Sequence, residues 1–354
     1  MAAGGAAPAR ALRGLSAVPA PQGWDDAAVA SPAGHTLQSS AWASVRAAQG
    51  WRPEFVRIGD PLPLALVLWR DALPGRPIGY VPRGPVAAPN DTRGLGEALH
   101  GLVRLARERN AIFLKVDPEL GPEIAAGPLR DAGFRRASDI QPVLATLVLD
   151  LRPDEDAMLA ALEKDTRWSV RQAPKRGVLT REATDEVSLR AFYQLYATTG
   201  GRAGFITRTW RYYRETWGTL LGAGLASLRL AYVDRQAVAG AMVWRCGHRA
   251  LYQTSATSDA GRKSYAAYAL LWECIIEAKR AGRREFDLGG IPWDLERKDD
   301  PMYGPYVFKR GFGGDVRRWV GAHDVVPSPL WYRAYRAAEP LYTNALRGLG
   351  RLRR

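Results

Sequence analysis

Short apolar runs broken by glycine and proline mark the first folded part of the chain. Glu54 to Ile58, Leu64 to Trp69 and Ile78 to Val81 have strand length and composition. The period then changes, because Leu95, Leu99, Leu102, Val103 and Leu105 recur at helical spacing through Gly96 to Arg109. Ala111 to Asp117 is apolar again, so the order predicted is β-β-β-α-β. Downstream it recurs. Leu225 to Val233 and Val238 to Trp244 predict a hairpin across Asp234-Arg235-Gln236, Ala250 to Thr257 a third strand, Ala266 to Arg280 a helix and Glu285 to Leu288 a strand. Phe113-Leu-Lys-Val-Asp-Pro118 precedes Gly133-Phe134 much as Phe286-Asp-Leu-Gly-Gly-Ile-Pro292 precedes Gly311-Phe312, which points to a structural repeat of two α/β units.

Leu144 to Leu149 alternates like a strand and leads into Pro153-Asp-Glu-Asp156, where proline and acids suit a helix N-terminus. The boundary between units is expected there. The following helix carries Lys164, Arg167 and Arg171 as a basic stripe that Pro174 is expected to end. Such a stripe is either a solvated face or a phosphate contact. A chain of 354 residues exceeds what one core usually serves. The expected division is a disordered, Ala/Gly/Pro-rich tail over 1–23, domains over 24–149 and 150–322, and a returning C-terminal segment over 323–354.

Charge changes the picture more than composition does. The hydrophobic fraction of 47% is ordinary, whereas a net charge of +14 favours polyanionic partners such as RNA, anionic lipid or phosphorylated substrates. Two cysteines, Cys246 and Cys274, form no disulfide framework and lack metal-ligand spacing, in keeping with a reducing cytoplasm. The tail lacks the continuous apolar stretch of a signal peptide, and the run from Leu62 to Trp69 is too short to span a bilayer. The basic aromatic end from Trp331 to Arg354 could hold the protein at the inner face of the membrane.

Four histidines, His35, His100, His248 and His323, stand in no local nucleophile motif, and no phosphate loop or zinc signature is present, so triad, nucleotide-hydrolysing and metalloprotease chemistry are poor fits. No cofactor or metal is implied. Lys309 stands between Phe308 and Phe312 beside glycines, after the strand-to-loop transition of Asp287-Leu-Gly-Gly-Ile-Pro292. An ammonium there can neutralise an oxyanion away from water, as acyl transfer requires; a solvated lysine on a glycine-rich hairpin is the alternative. The β-β-β-α-β order is similar to the core of acyl-CoA-dependent N-acetyltransferases, whose glycine-rich turn before the helix cradles pyrophosphate. Here that stretch is Gly261-Arg-Lys-Ser-Tyr-Ala-Ala-Tyr268, which lacks internal glycines and carries Tyr265 and Tyr268. Acyl-CoA is therefore a weaker donor candidate.

Gln38-Ser-Ser-Ala-Trp42, Tyr80-Val-Pro-Arg-Gly-Pro85, Phe113-Leu-Lys-Val-Asp-Pro118, Arg167 to Gly177, Gly204-Phe-Ile-Thr-Arg208, Asp287 to Pro292 and Phe308-Lys-Arg-Gly-Phe-Gly-Gly314 occur in an order that resembles the Fem family. That family comprises aminoacyl-tRNA-dependent ligases that build the interpeptide bridge of peptidoglycan. The resemblance implies an α/β (α+β) fold of two tandem GNAT-like domains, each a mixed sheet flanked by helices. It also implies transfer of an amino acid from aminoacyl-tRNA to the stem-peptide side-chain amine of a UDP-muramyl-pentapeptide or lipid-linked precursor. By the same resemblance Lys309 stabilises the oxyanion and contacts the donor, Phe308 beside it binds substrate, Arg46, Arg208 and Tyr212 grip precursor phosphates, Tyr252 lines the precursor cavity, and Asp117 orients or deprotonates the amine. The long helical arm of some relatives has no room between Gly177 and Phe205, which leaves Lys164, Arg167, Arg171, Arg262 and Lys263 for tRNA. Two other readings remain open: a GNAT-like N-acyltransferase using acyl-CoA or another carrier, and a noncatalytic protein that binds polyanions or membrane surfaces.

Overall fold

The computed structural model describes residues 15–338 except 142, 205 and 206. Two compact units emerge, a larger one of Met1–Gln49 with Gln141–Trp319 and a smaller one of Gly50–Ile140 with Val320–Arg354. Helix α1 (Ser40–Ala48) belongs to the larger unit. The smaller unit follows with β1 (Arg52–Arg57), β2 (Leu64–Leu73), β3 (Arg76–Val81), α2 (Thr92–Glu108), β4 (Phe113–Val116), α3 (Pro122–Asp131) and β5 (Arg135–Arg136). The larger unit resumes with β6 (Ala145–Asp150), α4 (Glu155–Ala161), α5 (Lys164–Lys175), β7 (Leu179–Ala183), α6 (Glu186–Ala203), α7 (Trp210–Gly222), β8 (Ala226–Val233), β9 (Gln236–Cys246) and β10 (Arg249–Thr257). It ends with α8 (Asp259–Lys263), α9 (Ala266–Arg280), β11 (Glu285–Gly290), α10 (Tyr303–Arg310) and β12 (Asp315–Arg318), after which β13 (His323–Val325) returns to the smaller unit.

The smaller sheet runs β1-β2-β3-β4-β13-β5 and the larger β12-β6-β11-β10-β9-β8-β7. In each, three antiparallel strands are followed by a crossover helix and a strand parallel to the third: α2 joins β3 to β4, and α9 joins β10 to β11. The α/β architecture expected from the repeated pattern is therefore present. Leu95, Leu99 and Leu102 of α2 are completely buried against Val67, Leu114 and Val116, and α9 buries Leu270, Leu271 and Ile275 in the same manner. The tight turn between β8 and β9 uses Asp234 and Arg235, both at positive φ, as a two-residue hairpin matching strand twist requires.

Three expectations change. Residues 15–23 are held by neighbours, with Leu15 N donating to Thr219 Oγ1 at 3.0 Å and Val18 N to Ser44 Oγ at 2.9 Å; residues 1–14 lie outside the described part. Residues 24–49 group with the larger sheet instead of the smaller one. Gly247 N donates to Val29 O at 2.7 Å and Thr36 Oγ1 to Arg245 O at 2.5 Å, so this segment satisfies backbone groups left at the end of β9. Pro174 stands inside the last turn of α5, which ends at Lys175, because a proline removes only one bond there and Gly177 at φ 75° turns the chain. The span between Gly177 and residue 205 holds β7 and α6, and α6 buries Leu189 and Phe192 in the larger unit's core. The tail residues Tyr342, Leu346, Arg347, Arg351, Arg353 and Arg354 lie outside the described part.

Candidate active site

Three residues far apart in the chain converge at the end of β11 in the larger unit. Asp287 is 2% exposed and pairs with Arg249 Nη1 of β10 at 3.3 Å. The hydroxyl of Thr146, on β6, donates to the Asp287 carboxylate and lies 2.9 Å from Gly289 O. Gly289 N donates back to Asp287 Oδ1 at 2.8 Å, closing a turn at φ 72°. A side chain there would bring its Cβ to 2.8 Å from Tyr252 O, so glycine is needed for both conformation and space.

That turn presents Gly290 O to Lys309 Nζ at 2.7 Å. Lys309 stands in the last turn of α10, so the expected loop or hairpin is a helix, and its side chain is buried instead of solvated. Phe308, half-buried, packs its ring 4.9 Å from Tyr268 and 5.5 Å from Phe312, while Tyr268 and Phe312 stack at 6.2 Å. Burial pushes the Lys309 ammonium down from the ordinary 10.5 to about 8, against the opposing pull of the Asp287 charge. The result is a cation with three N–H groups, held by one carbonyl, in a water-poor setting. Such a group can donate to a developing oxyanion or exchange its proton near neutral pH.

The other expected residues fall into separate settings. Arg46, in the last turn of α1, donates to Gln49 Oε1 at 2.6 Å with its guanidinium 5.8 Å from the Trp42 ring. Helix α1 packs on α7, where exposed Arg208 lies 4.8 Å over the ring of Tyr212 and Thr209 caps the helix start. Tyr252 is 7% exposed and belongs to the larger unit's core near Phe286, with burial pushing its phenol upward. In the smaller unit, buried Asp117 accepts from Tyr80 OH at 2.8 Å and from Arg83 N at 2.6 Å.

The basic stripe is not uniform. Lys164 and Arg171 are exposed, whereas Arg167 Nη1 donates to Ala160 O at 2.5 Å and Leu162 O at 3.3 Å. Arg167 thus caps the carbonyl end of α4. Arg262 pairs with Asp259, and Lys263 is exposed beside it.

A family model for the FemAB family matches residues 24–125, 133–237 and 228–340. The chain belongs to the FemAB family. Among its relatives are Lipid II:glycine glycyltransferases of Staphylococcus epidermidis, 24% identical over 89% of this chain and 93% of theirs, and of Staphylococcus aureus strain USA300, 23% identical over the same shares. The solved structure of FemX superposes with a TM-score of 0.79 at 21% identity, covering 91% of this chain and 99% of that one. This agreement extends the FemAB fold over both units.

Lys309 is legible in the sequence of this FemAB protein, whereas its supports are not. Asp287 stands in the Asp287-Leu-Gly-Gly motif, and an acid two residues before paired glycines is the available signal. Thr146 and Arg249 carried none, because only pairing of β6 and β10 on either side of β11 brings them to it.

Proposed function

We propose that this FemAB transferase moves an amino acid from an aminoacyl-tRNA ester to the stem-peptide side-chain amine of a peptidoglycan precursor. The relatives named Lipid II:glycine glycyltransferase favour the lipid-linked precursor as acceptor. The observation that carries the reading is the buried Lys309, fixed on Gly290 O and lowered to about 8. In the reaction the neutral amine attacks the ester carbonyl, the new C–N bond forms, and negative charge gathers on the carbonyl oxygen. Lys309 donates to that oxygen. Collapse breaks the ester C–O bond, and the departing ribose hydroxyl leaves with the proton lost by the amine. Because the ester is already activated, proximity and charge stabilisation suffice without a covalent intermediate.

Arg46, Arg208 and Tyr212 are assigned to the acceptor's phosphates, and Asp117 to its amine. Donation from Tyr80 OH and Arg83 N to the Asp117 carboxylate supports a fixed group suited to orienting the amine. An acyl-CoA donor is disfavoured, since the turn that would cradle pyrophosphate holds Tyr265 at φ 62° and Tyr268 packed on Phe308 and Phe312. Incubation with mixed charged tRNAs and each precursor, followed by mass spectrometry, should show an aminoacylated precursor. Lys309→Met should slow turnover about 10²-fold while precursor binding persists, the scale of losing an oxyanion donor. Product formed at a near-normal rate by that variant refutes the role of Lys309.

A further inference from the structure

The outer face of α5, together with Tyr265, carries an aromatic surface that the proposed chemistry does not use. Trp168 is 48% exposed, although indole burial is among the larger hydrophobic gains open to a side chain. Its ring meets Tyr265 edge-on at 5.2 Å, and the guanidinium of Arg176 covers Tyr265 at 4.6 Å. Tyr265 is held at φ 62° at the start of α9, a conformation rare for a bulky residue.

Cations surround this pair. On α5, Lys164 and Arg171 stand one turn before and one turn after Trp168, and Lys175 follows a turn later; all three are exposed. Arg176 Nη1 donates to Lys263 O at 2.6 Å, which ties exposed Lys263 to the same patch. The nearby acids are largely engaged: Glu163 pairs with Arg310 at 3.3 Å and Asp259 with Arg262, leaving Asp165 on α5 as the acid beside Trp168.

We infer that Trp168, Tyr265 and the surrounding Lys164, Arg171, Lys175, Arg176 and Lys263 form a stacking platform for the unpaired bases of a single-stranded RNA. Cations follow a phosphate backbone, and exposed rings accept any base because every base has a π-face. An acidic peptide would use the cations and leave the indole idle, whereas an anionic membrane would take the indole into its interface, the case that competition by vesicles separates. A duplex keeps its bases stacked on one another and out of reach. The platform deepens the proposed function by supplying a site for the unpaired end of the donor RNA, and it rests on that reading for the RNA's source.

The test is binding of the full chain to a short, uncharged, fluorescein-labelled single-stranded RNA by anisotropy, with anionic vesicles and duplex RNA of equal length as competitors. Trp168→Ala should weaken binding about tenfold or more, the size of one lost base stack, while Trp168→Phe retains most of it. Arg171→Ala with Lys175→Ala should lower affinity and flatten its dependence on salt. Thermal unfolding of Trp168→Ala confirms a folded protein, as expected for an exposed side chain. Equal affinity of Trp168→Ala and the parent, or equal competition by duplex or vesicles, overturns the platform. If transfer still depends on Lys309 in that case, the proposed function stands without it. If Trp168→Ala loses RNA but no charged donor gives product, the platform stands and the activity falls.

Discussion

At the scale of single residues, the fold spends stability on Lys309. Its charged form is disfavoured in the folded state, so its level near 8 lies below the ordinary 10.5. Between those values the unfolded chain binds the extra proton, and this group's contribution to stability therefore rises as pH climbs from about 8. Function runs the other way, because an oxyanion needs the ammonium. Turnover should fall on the alkaline side with a midpoint near 8, and Asp287→Asn should move that midpoint lower by removing the charge that supports the cation. A pH-rate profile of both proteins checks this; an unmoved alkaline limb in Asp287→Asn contradicts it. Cys246 shows that a shifted group need not be a site. Burial would raise its thiol, but His35, Arg249 and the Thr36 backbone together bring it to about 7, although Cys246 is only 1% exposed.

At the scale of elements, positions are decided by what satisfies a strand or helix end. The turn after β9 requires Gly247 at φ 61°, and a Cβ there would come to 2.4 Å from Ser31 O. Gly247→Ala should therefore loosen the segment through residues 24–49 at a cost of about 1–3 kcal/mol, the usual range for a strained backbone. Limited proteolysis reads it out, with earlier cleavage near Trp24 to Thr36 expected and an unchanged pattern counting against the argument. Helix α10 makes the same point for the site. Its final turn, not a glycine loop, carries Lys309 to Gly290 O, and the glycines that drew notice in the sequence serve the turn that receives it.

At the scale of the whole molecule, the chain leaves the smaller unit at Ile140 and returns to it at Val320. The returning β13 is inserted between β4 and β5 and places Asp324 at 2.8 Å from Lys115, both buried. Tyr332 OH donates to Asp324 at 3.0 Å, and Tyr332 and Tyr335 close over Phe113. Asp324→Ala strands a buried ammonium and should destabilise the protein by about 3 kcal/mol in denaturant unfolding, whereas Lys115→Met with Asp324→Leu should recover much of the loss. Among the described residues no helix is long and apolar enough to cross a membrane.

What the sequence determined by itself is what depends on near neighbours. Period and punctuation located the three-strand, helix, strand order twice, and the span Ala266–Arg280 coincides with α9. The ordered motifs pointed to the family and to Lys309. Only the tertiary structure decided the partners of that lysine, because Thr146, Arg249, Asp287 and Lys309 meet through strand pairing and helix packing across long stretches of chain. It likewise decided that residues 24–49 pack with the larger unit and that Arg167 caps a helix. Local propensity sets which element forms, while burial and the need to pair every buried polar group select its partner from anywhere in the chain.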